Sequence, residues 1–505
     1  MIVIRSQFSL RHGQLIFAFT TMPSFALGPL SNREPVYQRQ NSLVVDKHGR
    51  LRYAALSRRA LALPVEILAE IFIYCLPEDD FVTPSLTTAP LAVCGVCHQF
   101  REVALSTPRL WSSLVIDMQL ARAAGYIDLY QMWLLRARRA PLSLAIQDDG
   151  EMQNPPKSVR SLLQTIAKLS PQWRNVDVDL EVDIDGLLFS SEVDAKRAYP
   201  LLEKVALAYT NPSDFSISFC NAPRLREIFA PVYPPVAQID FPWAQITTFR
   251  TCDIDLSSFL QILSNASNLV NGSFTLRGDG STLPTSILSL DHLQSLSLAG
   301  MLVSEAVRIP MSVLECLKTP ALKSLTLQFA YYYGSHVWTN SWDVSPFLSF
   351  ISRSSFQLSS LALSLAPMQT DSLIDCLRKV PSLAHLKLEP LRDVDMNTIF
   401  AQFNGDSTFL PKLESAHIFF SIHTSIYTID PDVMARMLRW RWDAAVGIAR
   451  LRSFYMAESS YRQPFVDEKA NAEFERLKDE GMDLYLGMQR PGIDSFGISV
   501  GFHRP

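Results

Sequence analysis

Three short strings in this 505-residue chain bring together residue types that can do chemistry. Cys94-Gly-Val-Cys97-His98 fits C-x-x-C-H, in which two thiols bond a porphyrin and the histidine ligates its iron; the same two thiols could instead serve as a redox dithiol. Gly497-Ile-Ser499-Val-Gly501 fits G-x-S-x-G, whose glycines permit the tight turn that exposes a nucleophilic serine. The run Arg436, Arg439-Trp440-Arg441-Trp442 sets cations beside aromatic rings, chemistry suited to stacked bases or to a membrane surface.

Context weakens each of them. The thiol pair lies inside an apolar helical stretch with Cys97 on its apolar face. A zinc site would need two further ligands, and no second C-x-x-C or H-x-x-x-H supplies them. An α/β-hydrolase places its acid and its histidine after the serine, and after Gly501 only His503 is available. The arginine-tryptophan run sits on a helix opened by Asp430-Pro431-Asp432, and reads as a solvated face with one core tryptophan. No Walker loop, G-x-G-x-x-G or H-E-x-x-H occurs. The expectation is a chain with no catalytic residue, no cofactor and no metal.

The remaining classes narrow on composition. With 46 basic and 50 acidic residues the net charge is −4, and no long like-charged block is present, so a nucleic-acid partner is not expected. Seven cysteines, at 75, 94, 97, 220, 252, 316 and 376, fall mostly on apolar stripes, as reduced thiols in the cytoplasm or nucleus do. Residues 1–33 hold Arg5, Arg11 and Arg33 with no acid, a bias that transit or signal peptides share. Their apolar core, Leu15–Phe19, is short and Pro23 and Pro29 follow. Residues 1–60 are therefore expected to be a disordered tail or a gene-model extension, and the run 13–32 is too polar and proline-broken to span a membrane.

Two kinds of element must then position whatever the chain does. In residues 61–116, Pro64 and Pro77 bracket about a dozen residues of helix in which Pro64, Ile67, Leu68, Ile71, Phe72 and Cys75 make one apolar stripe. A second helix is expected over Leu91–Leu105, with Ala92, Val93, Val96, Cys97 and Phe100 on one face, and a short third piece from Pro108 to Leu114. Three such helices cannot bury all this apolar surface among themselves, so the stripe needs a partner.

From about residue 170 a phrase of the form L-x-x-L-x-L recurs, cleanly from Leu293, Leu322, Leu358 and Leu383, more loosely from Leu202, Leu225, Ile246, Leu269, Leu413 and Leu451. Pro200, Pro223, Pro320, Pro381 and Pro411 stand two residues ahead of a phrase, where proline ends a preceding helix. Between phrases the period changes: Leu256, Phe259, Leu260 and Leu263 form one helical stripe, and Leu373, Cys376, Leu377 and Val380 another. Each unit reads as a strand followed by a helix, and parallel strands so joined stack into a solenoid.

The residues Leu63-Pro64-x-Glu66-Ile67-Leu68, Ile71-Phe72, Val96-Cys97, Arg101, Ala104-Leu105, Thr107-Pro108-x-Leu110-Trp111 and Leu114 resemble an F-box, most closely the F-box proteins abundant in mushroom-forming fungi. The likeness runs on through Trp133-Leu134-x-Arg136 and Pro141-Leu142-Ser143-Leu144. Phe100 stands where that pattern usually has Trp, and residues 77–90 are an insertion. The array resembles leucine-rich repeats without their usual Asn. The resemblance implies a small three-helix F-box-like head over 61–117, a helical linker over 118–168, an irregular α/β repeat solenoid over 169–460 and a capping segment over 461–505. It further implies a Skp-type adaptor as partner, and through it a cullin, with Leu63, Pro64, Ile67, Leu68, Ile71, Phe72, Val93, Val96, Phe100, Pro108, Leu110 and Trp111 facing that adaptor. The function implied is that of a substrate-recognition subunit of an SCF-type ubiquitin ligase; a leucine-rich-repeat scaffold uncoupled from ubiquitination is the alternative.

Strand alternation sets the expected target surface. With the leucines turned inward, Ser295, Ser297, Ser324, Thr326, Ser360 and Ala362 face the other way, and towards the C-terminal end His385, Lys387, Glu389, His417, Phe419 and Tyr455 follow. Those last six are the types better able to anchor a protein target.

Overall fold

The computed structural model describes residues 63–123, 125–148, 156–180, 188–189, 198–209, 217–232, 239–277, 286–301, 309–329, 343–364, 368–389, 394–420, 429–444, 447–458 and 468–488, with the backbone of 5–11, 14–20, 44–45 and 51–52. The chain is an α/β protein of two compact units, one of residues 1–147 with 155–163, the other of residues 148–154 with 164–505. Most of residues 1–60 lie outside the described ones; the described parts are Arg5–Arg11 paired antiparallel with Gln14–Thr20, and Val44–Val45 with Leu51–Arg52.

In the first unit helix α1, Val65–Tyr74, starts behind Pro64 as the proline bracket requires. The expected second helix is broken in two: α2 is Leu91–Cys94 and α3 is His98–Ser106. The break falls at Gly95-Val96-Cys97, where glycine weakens the helix and the Cys97 sulfur restarts it by accepting the Phe100 N–H at 3.4 Å. Leu68 and Phe72 are buried at 1% and 2% exposure, Phe72 lying 4.8 Å from the Phe100 ring. Leu110 and Trp111 close this core, the Trp111 indole donating to the Ala104 carbonyl at 2.8 Å.

The region after the head is not purely helical. Strand β1, Ser113–Asp117, pairs in parallel with β2, Leu142–Gln147, across helix α4, Tyr126–Ala137. Trp133 of α4 packs edge-on against Trp111 at 4.9 Å, and the Arg136 guanidinium lies 4.5 Å over the same indole. The insertion at 77–90 is tied down here as well, since the Val82 carbonyl accepts from the Val115 N–H at 2.8 Å and Val82 is buried. Helix α5, Lys157–Lys168, follows.

The second unit is a parallel sheet in which every strand pairs with the next in sequence. Its strands are β3 Trp173–Leu180, β4 Lys204–Tyr209, β5 Glu227–Val232, β6 Thr248–Asp255, β7 Asn271–Arg277, β8 Ser295–Met301, β9 Ser324–Phe329, β10 Ser360–Ser364, β11 His385–Leu388, β12 Ser415–Phe420, β13 Ser453–Glu458 and β14 Asp483–Met488. Each phrase-opening residue named from the sequence, from Leu202 to Leu451, is at most 1% exposed. Just ahead of the strands one backbone rung recurs: Lys323 donates to Gln294, Ser359 to Lys323, Ala384 to Ser359, Glu414 to Ala384 and Arg452 to Glu414. Repeating the phrase thus repeats both a buried leucine and a main-chain bond, which is how neighbouring units stabilise one another.

Helices fill the later connections: α6 Leu256–Asn265, α7 Ile309–Glu315, α8 Ser345–Ser354, α9 Thr370–Arg378, α10 Met396–Phe403, α11 Pro431–Trp442 and α12 Glu468–Asp479. The α9 stripe is buried as expected, whereas on α6 Ile262 takes the inward place given to Leu260. Between β4 and β6 the described connections hold no α-helix. Two residue pairs, Ile217 with Ile239 and Ser218 with Asp240, and the 3-10 turn Trp243–Gln245 lie there instead. Aromatic rings supply the missing volume, with Phe219 stacked on Phe241 at 5.5 Å, Phe241 against Trp243 at 5.3 Å and Trp243 against Phe249 at 5.5 Å. At the other end the array runs beyond 460, because β14 in the segment expected only to cap it adds a further strand to β13.

Candidate functional site

The residues expected to face an adaptor divide into two sets. Leu63, Pro64, Ile67, Ile71 and Val96 are exposed, Phe100 and Pro108 half-buried, and Leu68, Phe72, Val93, Leu110 and Trp111 buried in the head's own core. Buried side chains cannot be contacts, so those five are corrected to core residues. Val65 and Tyr74, which the stripe did not include, join the exposed set at 53% and 87%. Ile67, Ile71 and Tyr74 recur at four- and three-residue steps and so share one face of α1. An ion pair flanks α1, Arg109 Nη1 to Glu70 Oε1 at 2.7 Å.

The thiol pair does not present itself as a reagent. Cys94 is buried, and burial pushes its thiol above the usual range, which disfavours the nucleophilic thiolate. His98 points outwards, 3.8 Å from Glu102. Replacing Cys94 with Ser and Cys97 with Ala should cost about 1–2 kcal/mol in a urea melt through lost packing and the lost cap. A chromophore or metal lost from the variant would contradict that assignment. Gly497-Ile-Ser499-Val-Gly501 lies outside the described residues, and no group of three metal-binding side chains occurs among those described.

The basic run does structural work inside the second unit. Arg439 bonds Glu473 and, at 2.8 Å, Glu480, pinning α12 to α11. Arg441 is fully buried and donates to the carbonyls of Leu410 and, at 3.2 Å, Phe409. Trp442 is the core tryptophan of the run. Arg439→Ala should detach α12 before the rest of the sheet melts, read as faster amide exchange at 468–488; exchange unchanged there would remove the clamp from the account.

The residues expected to meet a target do come together. Pairing puts Lys387 beside His417, His417 beside Tyr455, and Tyr455 beside Tyr485 in one row. The His417 and Tyr455 rings are 5.7 Å apart, and Tyr455 stacks on Tyr485 at 4.6 Å and 12°. Lys387 Nζ lies 3.2 Å from Glu389 Oε1 and 5.4 Å over the Phe419 ring, while Ser364 Oγ donates to Glu389 Oε2 at 3.1 Å. His385 is exposed and Lys387, His417 and Tyr455 are half-buried, whereas Glu389 and Phe419 are buried and by the same criterion are core residues, not contacts. Burial raises the Glu389 carboxyl to about 7 against the pull of Lys387, and burial next to Lys387 lowers the His417 imidazole.

Tyr485 and Ser364 were not among the expected residues. Leu484-Tyr485-Leu486 carries the second half of the repeated phrase, which would have marked the strand. Gly487 shows why the tyrosine fits: a Cβ there would lie 3.0 Å from the Tyr485 hydroxyl.

No protein-family model and no curated protein matches this chain. No helix among the described residues is long and apolar enough to cross a membrane.

Proposed function

We propose that this chain is a non-enzymatic substrate-recognition subunit of an SCF-type ubiquitin ligase, its F-box-like head held by a Skp-type adaptor and its leucine-rich-repeat-like solenoid holding a target protein. The observation that carries the reading is the separation within one short helix. Leu68 and Phe72 fill the head's core, while Leu63, Pro64, Ile67 and Ile71, from the same motif, with Val96, stay in water. A soluble protein gains nothing by exposing such a cluster unless something covers it.

The mechanism requires only proximity. A target tethered through the adaptor and cullin meets the conjugating enzyme at high effective concentration, so this chain needs no nucleophile of its own. The row Lys387, His417, Tyr455 and Tyr485 supports the target-holding half, because it clusters cationic and aromatic groups on neighbouring strands.

Co-purification tests both halves. Ile67→Asp with Ile71→Asp should abolish capture of the adaptor and keep the melting temperature of the native protein. Tyr455→Ala should lower target capture at least tenfold, about 1.4 kcal/mol, and leave adaptor binding unchanged. Adaptor captured equally by the Ile67/Ile71 variant would leave the scaffold reading in its place.

A further inference from the structure

We infer that the target segment held by this row is acidic, one of its carboxylates taking the Lys387 ammonium away from Glu389. The inference rests on the target-holding reading above and names the chemistry of what is held. Strand register puts Lys387 beside His417, and His385 beside Ser415 one step along the same face. Three basic side chains thus lie on the adjacent strands β11 and β12. Asp483, level with His385, stands three strands away on β14, about 14 Å at the usual strand spacing, and accepts from the Ser453 hydroxyl at 3.2 Å. Lys387 pairs with Glu389, Nζ to Oε1 at 3.2 Å, but Glu389 is 4% exposed and shows almost nothing to a target. What a target meets on β11 and β12 is therefore cationic, and an acid complements it.

The Lys387–Glu389 pair is built to exchange. The Glu389 N–H donates to the Leu363 carbonyl at 2.9 Å and the Ser364 hydroxyl donates to Oε2 at 3.1 Å, while Oε1 has Lys387 at ion-pair distance without hydrogen-bond alignment. Burial holds this carboxyl up at about 7 in spite of Lys387, so near neutral pH the loss of its partner costs it only the uptake of a proton. Lys387, 24% exposed on a flexible stem, can turn to a target without movement of the strand. A carboxylate arriving at Nζ displaces Oε1; Glu389 takes one proton from solvent and stays bonded to Ser364 as a neutral acid. Glu389 touches no target and acts through Lys387. His417 works in the same direction, since burial, Lys387 and His385 hold its imidazole below the usual range against the pull of Asp483, and it gains charge only on acidification.

Titration calorimetry of the full chain with end-blocked octaglutamate and octaglutamine, in buffers of different ionisation enthalpy, tests this. Glu389 goes from about one-tenth to about nine-tenths ionised between pH 6 and pH 8, so octaglutamate should bind about tenfold more tightly at pH 6, with close to one proton taken up at pH 8. Octaglutamine should not bind. Glu389→Gln should bind octaglutamate at pH 8 about as tightly as the wild type does at pH 6, without proton uptake, a gain that misfolding does not produce. Lys387→Gln should lose the binding. No binding of octaglutamate, binding independent of pH, equal binding of octaglutamine, or no gain in Glu389→Gln would overturn the inference. Target capture still lost in Tyr455→Ala would then confine the failure to the acid; capture retained there would remove the target-holding reading as well.

Discussion

Leu68→Asp is expected to unfold the head, whereas Ile67→Asp, one residue away, is expected to leave it folded. Leu68 is 1% exposed in a core shared with Phe72, Trp111 and Leu110, and Ile67 is 48% exposed. Charging Leu68 forfeits about 1.5–3 kcal/mol of burial and adds the desolvation of a carboxylate, a loss of more than about 4 kcal/mol that so small a core cannot absorb. At Ile67 the charge enters water directly, and the expected change is within about 0.5 kcal/mol. Circular dichroism melts of the two variants check the difference. Equal melting would mean that the helix presents a different face to the core.

Glu389→Gln should remove a pH dependence from the stability of the second unit. The carboxyl goes from an ordinary value of 4.5 to about 7 on folding, so the folded state holds its proton more tightly than the unfolded chain does. That contribution is complete below about pH 4.5, fades as pH rises, and is gone above about pH 7. At about 1.4 kcal/mol for each of the roughly two and a half pKa steps, the wild type should lose on the order of 3–4 kcal/mol across that window. Gln keeps the acceptor for Ser364 without a charge to bury, so the variant should be the more stable protein at pH 8 and should match the wild type at pH 4. Lys387, with a side chain 24% exposed, can turn to solvent once its partner is neutral. Urea titrations at pH 4, 6 and 8 check this, and a variant less stable at pH 8 would mean that the Lys387–Glu389 pair outweighs the burial of its charge.

The same substitutions mark how much the sequence could reveal. That residues 65–74 form a helix follows from Pro64, Pro77 and the recurrence of apolar residues. Which apolar residues turn inward does not, because Ile67 with Ile71 and Leu68 with Phe72 are both four apart and differ only by one residue of rotation, about 100°. The packing of Phe72 against Phe100 makes that choice, and it is a contact between distant segments. The buried leucines of the array, by contrast, were legible one by one, since each unit repeats the same phrase over the same neighbours. Where the phrase degenerates, legibility stops: Leu142–Gln147 alternates like a strand but follows Pro141 without the opening leucine, and was expected to be part of a helical linker. Glu389 and Arg441 mark a second limit. Alternation assigns a side chain to a face, but whether that face is covered depends on packing that no local pattern encodes.

Titration calorimetry of the full chain with a purified Skp-type adaptor tests the central claim most directly. The account predicts saturable one-to-one binding with a negative heat-capacity change from the covered apolar cluster, lost in Ile67→Asp with Ile71→Asp while that variant melts like the wild type. Absence of binding by the native chain, or equal binding by the variant, would contradict it.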